Sequence, residues 1–302
     1  VGVDLVEHAF GSLPLDTFVL GDLRQPQLVQ ELFAKPFDEV YQFAAEMGGA
    51  GFIFTGQHDA EIMRSSALIN LNVLESFRRS GSGRIFFASS ACIYPVAKQC
   101  DPYLTDCSED SAYPADPDSE YGWEKLFAER LYSSYARQYG LLISFARLHN
   151  VYGPQSVYQG GREKAPAALC RKVVDAPEGS AIELWGDGQQ TRSFTYIDDC
   201  LEGILRLMAI PGHPPVNLGS EERVSIEELA RMIIGISGKS LEIQHIEGPQ
   251  GVRGRNSDNR LLRSLLQGWE PRTPLATGIR RLYEFVAKNR KDEALASQTR
   301  LR

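Results

Sequence analysis

Short apolar runs recur through the first half of the chain, separated by longer stretches that mix polar and apolar positions. Residues 1–5, 17–20, 39–43, 84–88 and 141–146 are apolar and strand-like, and residues 25–34, 61–80 and 121–139 between them read as helices. This alternation predicts an α/β fold with a parallel sheet covered by helices on both faces. Sheets of that kind bind ligands at the carboxyl ends of their strands. Ser89–Cys92 and the loop Ala44-Ala45-Glu46-Met47-Gly48-Gly49 both fall at such ends.

The second half is less regular. Residues 166–174, 198–208 and 225–236 read as helices, with Ser225 and Glu228 spaced as a capping box. Strand-like segments 182–185, 193–197, 216–218 and 241–246 alternate with them, and 277–288 reads as a closing helix. The expected organisation is a Rossmann-like, doubly wound domain over 1–150, a smaller α/β lobe that mainly binds substrate over 151–290, and a polar, frayed tail over 291–302. A dinucleotide-binding sheet opens on a strand, a glycine-rich turn and a helix, followed by an acidic residue about 20 positions on. Here Val1-Gly2-Val3-Asp4-Leu5 reads as the second strand of such a sheet, already at its ribose-binding acid. The expectation is a chain without its natural first strand and glycine-rich turn.

At 302 residues the chain buries enough surface to need neither disulfides nor metals. Its net charge of −7 and pI near 5.4, with no dense basic block, argue against nucleic acid and anionic membranes as partners. No apolar run approaches the roughly 20 residues of a membrane span, and no signal peptide is evident. The five cysteines are odd in number and lack zinc-like spacing, which fits free thiols in a reducing cytoplasm. The five histidines are scattered, so no metal site is expected.

Tyr121 and Lys125 stand four apart on the 121–139 helix, hence on one face. A lysine ammonium there is expected to lower the phenol's pKa and make it a usable base. Ser90, at the end of the 84–88 strand, can hydrogen-bond the same substrate oxygen. Hydroxyl, phenolate and ammonium around one alcohol suit removal of a proton and a hydride from a carbinol. A tyrosine and lysine at this spacing also recur by chance; the serine-ended strand and the proline-rich loop before the helix favour the functional reading.

Longer segments carry a family resemblance. They are 44–49, Ser89-Ser90-Ala91-Cys92-Ile93-Tyr94-Pro95, His149-Asn150-Val151-Tyr152-Gly153-Pro154, Gly160-Gly161-Arg162-Glu163-Lys164-Ala165-Pro166-Ala167-Ala168, Trp185-Gly186-Asp187-Gly188, Gln190-Thr191-Arg192-Ser193-Phe194-Thr195 and Gly251-Val252-Arg253-Gly254-Arg255-Asn256-Ser257-Asp258-Asn259. From residue 4 to about 288 the chain resembles the extended short-chain dehydrogenases/reductases that modify sugar nucleotides, and within them the GDP-mannose 3,5-epimerase family. The resemblance implies NAD as cofactor and GDP-mannose as substrate. It implies C4 oxidation by Tyr121 and Lys125 with Ser90, then inversion at C3 and C5 by Cys92 and Lys164. Substrate contacts are implied at Gly48, Ser90, Ala91, Cys92, Asn150, Glu163, Lys164, Ala165, Lys172, Gln190, Thr191, Arg192 and Arg255, the two arginines suiting a diphosphate. Cofactor contacts are implied at Asp4, Asp22, Tyr121 and Lys125.

The same resemblance suggests a homodimer formed through the 61–80 and 121–139 helices. The chain departs from the family at Gln159, where lysine is expected, and by about two extra residues between Gly51 and His58. Two alternatives stay open at this level. One is another NAD-dependent epimerase, dehydratase or decarboxylase, which would share the Tyr121/Lys125 pair. The other is an inactive, truncated fragment.

Overall fold

In a computed structural model of the chain, residues 1–302 are described except 12–13, 105 and 301–302. The first half gives β1 (Gly2–Asp4), β2 (Phe18–Leu20), α1 (Pro26–Leu32), β3 (Glu39–Gln42), a short α2 (Ala50–Ile53), α3 (Asp59–Ser80), β4 (Arg84–Ser90), α4 (Glu120–Tyr139) and β5 (Leu142–Leu148). The second half gives β6 (Val151–Tyr152), α5 (Ala165–Asp175), β7 (Ala181–Trp185), β8 (Thr191–Ser193), β9 (Thr195–Tyr196), α6 (Ile197–Met208), β10 (Val216–Leu218), β11 (Arg223–Ser225), α7 (Ile226–Ser237), β12 (Glu242–Ile246), β13 (Gly254–Arg255), α8 (Arg260–Leu265) and α9 (Leu275–Arg300).

β4 is apolar from Ile85 to Ala88 and buried from Ile85 onward, as a strand covered on both faces must be. It lies between β3 and β5, all parallel, and β10 extends the order to β10-β5-β4-β3. α3 and α4 cover one face. Ile69, Val73, Leu74 and Phe77 of α3 and Ala128 and Tyr132 of α4 meet Ile85, Phe87, Ile143 and Phe145 of the sheet. On the other face α6 and α8 bury Ile204, Leu207 and Leu262 against Phe86, Ala88 and Ala146. Left-handed glycines, Gly81 and Gly140, end α3 and α4.

Four findings revise the sequence reading. β1 and β2 pair with each other in parallel, but β1 does not pair with β3, so the sheet is divided at that edge. In the order common to dinucleotide-binding sheets a further strand lies between these two edges. Next, residues beyond 150 return to the first sheet through β10, α6 and α8, so its core draws on both halves of the sequence. The apolar cluster of α5, α7, α9 and β7 forms the second core. The strand read over 193–197 is two pieces, and Ile197 already begins α6. Last, α9 runs to Arg300 instead of fraying from 291, and Arg290 binds Asp175 at 2.8 Å and Glu293 at 2.7 Å. The Ser225/Glu228 capping box is present at α7.

Candidate active site

β4 ends in Ser89 and Ser90, and the chain there turns sharply. Ser90 accepts a hydrogen bond from Cys92 N at 3.1 Å, capping the one-turn helix Ala91–Ile93. α4 starts directly beneath, with Ser119 as its N-cap accepting from Gly122 N at 3.3 Å. Glycine is required at 122, because a Cβ there would sit 2.3 Å from Cys92 O. This close approach brings Tyr121 and Lys125 of α4 beside Ser90 and Cys92. All four line one cavity of about 630 Å³ at the carboxyl ends of β3, β4 and β5.

Tyr121 and Lys125 are almost fully buried, and the Lys125 Nζ stands 5.7 Å from the Tyr121 ring centre. Burial has the larger say over both. It pushes the phenol up, with Cys92 and Glu124 adding to the rise and Ser90 opposing it, and it pushes the ammonium down despite Glu124 and Cys92. The expected lowering of Tyr121 by Lys125 is therefore reversed in the protein alone: desolvation outweighs the neighbouring charge. Lys125 donates to Ala88 O at 3.0 Å. One acceptor for three donors on a buried ammonium leaves N–H groups for a molecule in the cavity.

Cys92 meets Arg255, whose Nη1 donates to its Sγ at 3.0 Å. Lys164, just ahead of α5, lines the same cavity. Its side chain is exposed, yet the protein atoms around it push its ammonium below the usual lysine range. The loop that carries it is pinned at Gly49, whose N–H donates to Arg162 O at 3.0 Å. Glycine is again required, since a Cβ would come 2.1 Å from Glu163 O.

The cavity also gathers Gly48, Ala91, Asn150, Glu163, Ala165, Lys172, Gln190 and Arg192. Gln190 Oε1 is buried without a hydrogen-bond partner, an acceptor in need of a donor. Burial and the nearby Arg255 bring Arg192 down to about 10. One sequence-read substrate contact is placed differently. Thr191 turns its hydroxyl to Pro102 O, 2.6 Å away, and does not line the cavity. Arg255 lines the cavity and donates to Cys92, Asp118 and Gln99, one bond from each of its nitrogens, which leaves a second N–H on Nη1 and on Nη2. Asp4 and Asp22 lie outside the cavity, at or just past the carboxyl ends of β1 and β2, and Asp22 is held by Arg24 at 2.8 Å. Asp118, Gln99 and Phe54 were not singled out from sequence. The only available signal was for Asp118, which stands next to the N-cap of α4.

The site fits a nicotinamide cofactor at its reactive end: Tyr121, Ser90 and a buried, under-bonded Lys125 converge on one wall. No group of side chains suited to a metal ion occurs among the described residues.

Comparison with known proteins follows the same line. The profile of the NAD dependent epimerase/dehydratase family matches residues 3–219. A GDP-mannose 3,5-epimerase of Arabidopsis thaliana is 43% identical over 98% of this chain and 77% of its own length. GDP-mannose 3,5-epimerase 1 of Oryza sativa subsp. indica is 46% identical over 95% of this chain and 74% of its own length. Among solved structures, Thermus thermophilus UDP-glucose 4-epimerase in complex with NAD superposes with a TM-score of 0.77. It is 26% identical, over 94% of this chain and 89% of that one.

Proposed function

Because the chain belongs to the NAD dependent epimerase/dehydratase family, we propose that it inverts C3 and C5 of GDP-mannose to give GDP-L-galactose, through a 4-keto sugar and with NAD as a regenerated cofactor. The observation that carries this reading is the meeting of Cys92 and Lys164 in one cavity with Tyr121 and Lys125. The Tyr121/Lys125 pair would serve any sugar-nucleotide enzyme of this fold. A thiol and an amine beside it are what inversion next to a ketone needs.

Tyr121, Ser90 and Lys125 would hold the nicotinamide end of NAD, which would supply a reversible hydride acceptor for C4. Tyr121 takes the proton from O4, Ser90 donates a hydrogen bond to that oxygen, and Lys125 balances the charge one helical turn away. A ketone at C4 acidifies the hydrogens on C3 and C5. The Cys92 thiolate removes one such proton, and the electron pair moves to O4 as an enolate. Lys164 then gives a proton to the opposite face of the same carbon, for which an ammonium below the usual lysine range is suited. Exchange with water restores the thiolate and the ammonium before the second carbon is inverted.

Arg192, Lys172, Asn150 and Gln190 are the proposed side-chain grips on the nucleotide sugar, with main-chain contacts at Gly48 and Ala165. Asp4 and Asp22 are proposed for the adenosine end of NAD. On this reading residues 1–150 hold mainly the cofactor and 151–290 mainly the sugar. The active form is proposed to be a homodimer, supported by the large apolar side chains of Leu68, Leu71, Trp123 and Phe127 exposed on α3 and α4. A reducing, cytoplasmic setting is supported by five thiols without a disulfide.

The test is incubation with NAD and GDP-mannose in deuterated water. Deuterium should enter at both C3 and C5. Absence of label at both positions, with C4 oxidation intact, would exclude the epimerase and leave a 4-epimerase or reductase.

A further inference from the structure

The Arg255 guanidinium is held on three sides. Nε donates to Gln99 Oε1 at 2.6 Å, Nη2 to Asp118 Oδ2 at 2.8 Å and Nη1 to Cys92 Sγ at 3.0 Å. The Arg255 and Asp118 side chains are only 5% and 6% exposed, so the ion pair is little screened. Both partners are themselves fixed. Gln99 donates to the carbonyls of Tyr94 and Pro95, and its own main-chain carbonyl accepts from Gly254 N at 3.0 Å. Asp118 Oδ1 accepts from the hydroxyl of Ser119, the N-cap of the helix that carries Tyr121 and Lys125. The fork of Arg255 thus has one orientation, and in it the remaining nitrogen points at sulfur.

We propose that Gln99 and Asp118 are positioning residues that aim Arg255 at Cys92, and that the Asp118 carboxylate tempers Arg255 so that the sulfur can both take and release a proton. This deepens the epimerase reading and rests on it. Four cations face the sulfur: Lys125 of α4, Lys164 ahead of α5, Arg192 of β8 and Arg255 of β13. The Tyr121 phenol faces it as well. Positive charge around a sulfur base lowers its affinity for the proton it must take from carbon, because the basicity of a thiolate falls with its pKa. Asp118 is the carboxylate bound to the cation nearest the sulfur, and it supplies the opposing charge.

The test reads the thiol directly. The rate at which iodoacetamide alkylates Cys92 is followed across pH by the mass of its peptide, which separates it from the exposed Cys100. Asp118→Asn keeps an oxygen for Arg255 and removes the charge. It should move the alkylation midpoint down by about one pH unit and slow deuterium exchange at C3 and C5, with KM for GDP-mannose unchanged. Arg255→Lys keeps a charge and loses the fork, and should move the midpoint up. A midpoint that stays or rises in Asp118→Asn, or stays in Arg255→Lys, overturns the proposal. Should Asp118→Asn fail to fold, the lysine variant decides alone. Shifted midpoints in a wild-type background that exchanges no deuterium would uphold the clamp and sink the epimerase reading instead.

Discussion

Tyr121 is an acid held neutral by its surroundings until charge arrives beside it, since burial raises the phenol and lowers Lys125 together. Removing its hydroxyl takes away the proton acceptor for O4 without changing the cavity's shape. Tyr121→Phe should therefore cut C4 oxidation by about 10²–10⁴-fold, read as reduced-cofactor absorbance in a single turnover, while nucleotide-sugar affinity is retained. Equal loss of binding and oxidation would speak against the assignment. His149 makes a second, pH-linked case. It is fully buried with Nε2 on Asn217, and burial pushes it down to about 4 from its ordinary 6.5. Between those values the unfolded chain holds more protons than the folded one, so stability rises with pH through the window and is lost as pH falls. Denaturant unfolding across that range should show this slope, and His149→Gln should flatten it. Tyr121, Lys125, Ser90, Cys92 and Lys164 were legible in the sequence because their chemistry or flanking segments mark them. Gln99 and Asp118 were not, since their role arises only where β13 crosses the start of α4, 137 residues from Asp118.

The contact between the Ala91–Ile93 turn and α4 is the element-level hinge of the site. Alanine is normally the better helix former by about 1 kcal/mol. At Gly122 that gain is overridden, because the added Cβ would meet Cys92 O at 2.3 Å and Pro117 Cβ at 2.8 Å. Gly122→Ala should lower the melting temperature and displace Cys92 from Tyr121, with loss of deuterium exchange. Gly235, in α7, has open space where a methyl group would stand, with nothing within 4 Å of it, and Gly235→Ala should raise stability by about 0.5–1 kcal/mol in urea unfolding. Opposite signs at two helical glycines are the check; a gain at both would mean the α4 contact yields easily. The long elements were readable in advance, because β4 carries the apolar run Ile85–Ala88 and α3 and α4 carry apolar faces and end on glycine. β6, β13 and α2, of two to four residues each, were not, since so few positions carry no periodicity and pairing alone defines them.

Across the molecule, the α/β class was evident from the alternation of segments, but the sharing of cores was not. β10 and α6 return to the first sheet, a long-range pairing that no local pattern announces. The exposed side of the same sheet's helices bears on assembly. α3 and α4 pack together over β4, and Leu68, Leu71, Trp123 and Phe127 remain 39–46% exposed on them. A second copy would cover these apolar side chains by the same face. Sedimentation should therefore give about twice the 33.6 kDa of one chain. Leu71→Arg combined with Phe127→Arg places charge where a twofold contact would bury it and should give a folded monomer. Because Tyr121 and Lys125 lie on the buried face of α4, that monomer should still reduce NAD in a single turnover, though less stably. A wild-type chain that sediments as a monomer at micromolar concentration would remove the dimer. A variant that stays dimeric would move the interface away from α3 and α4.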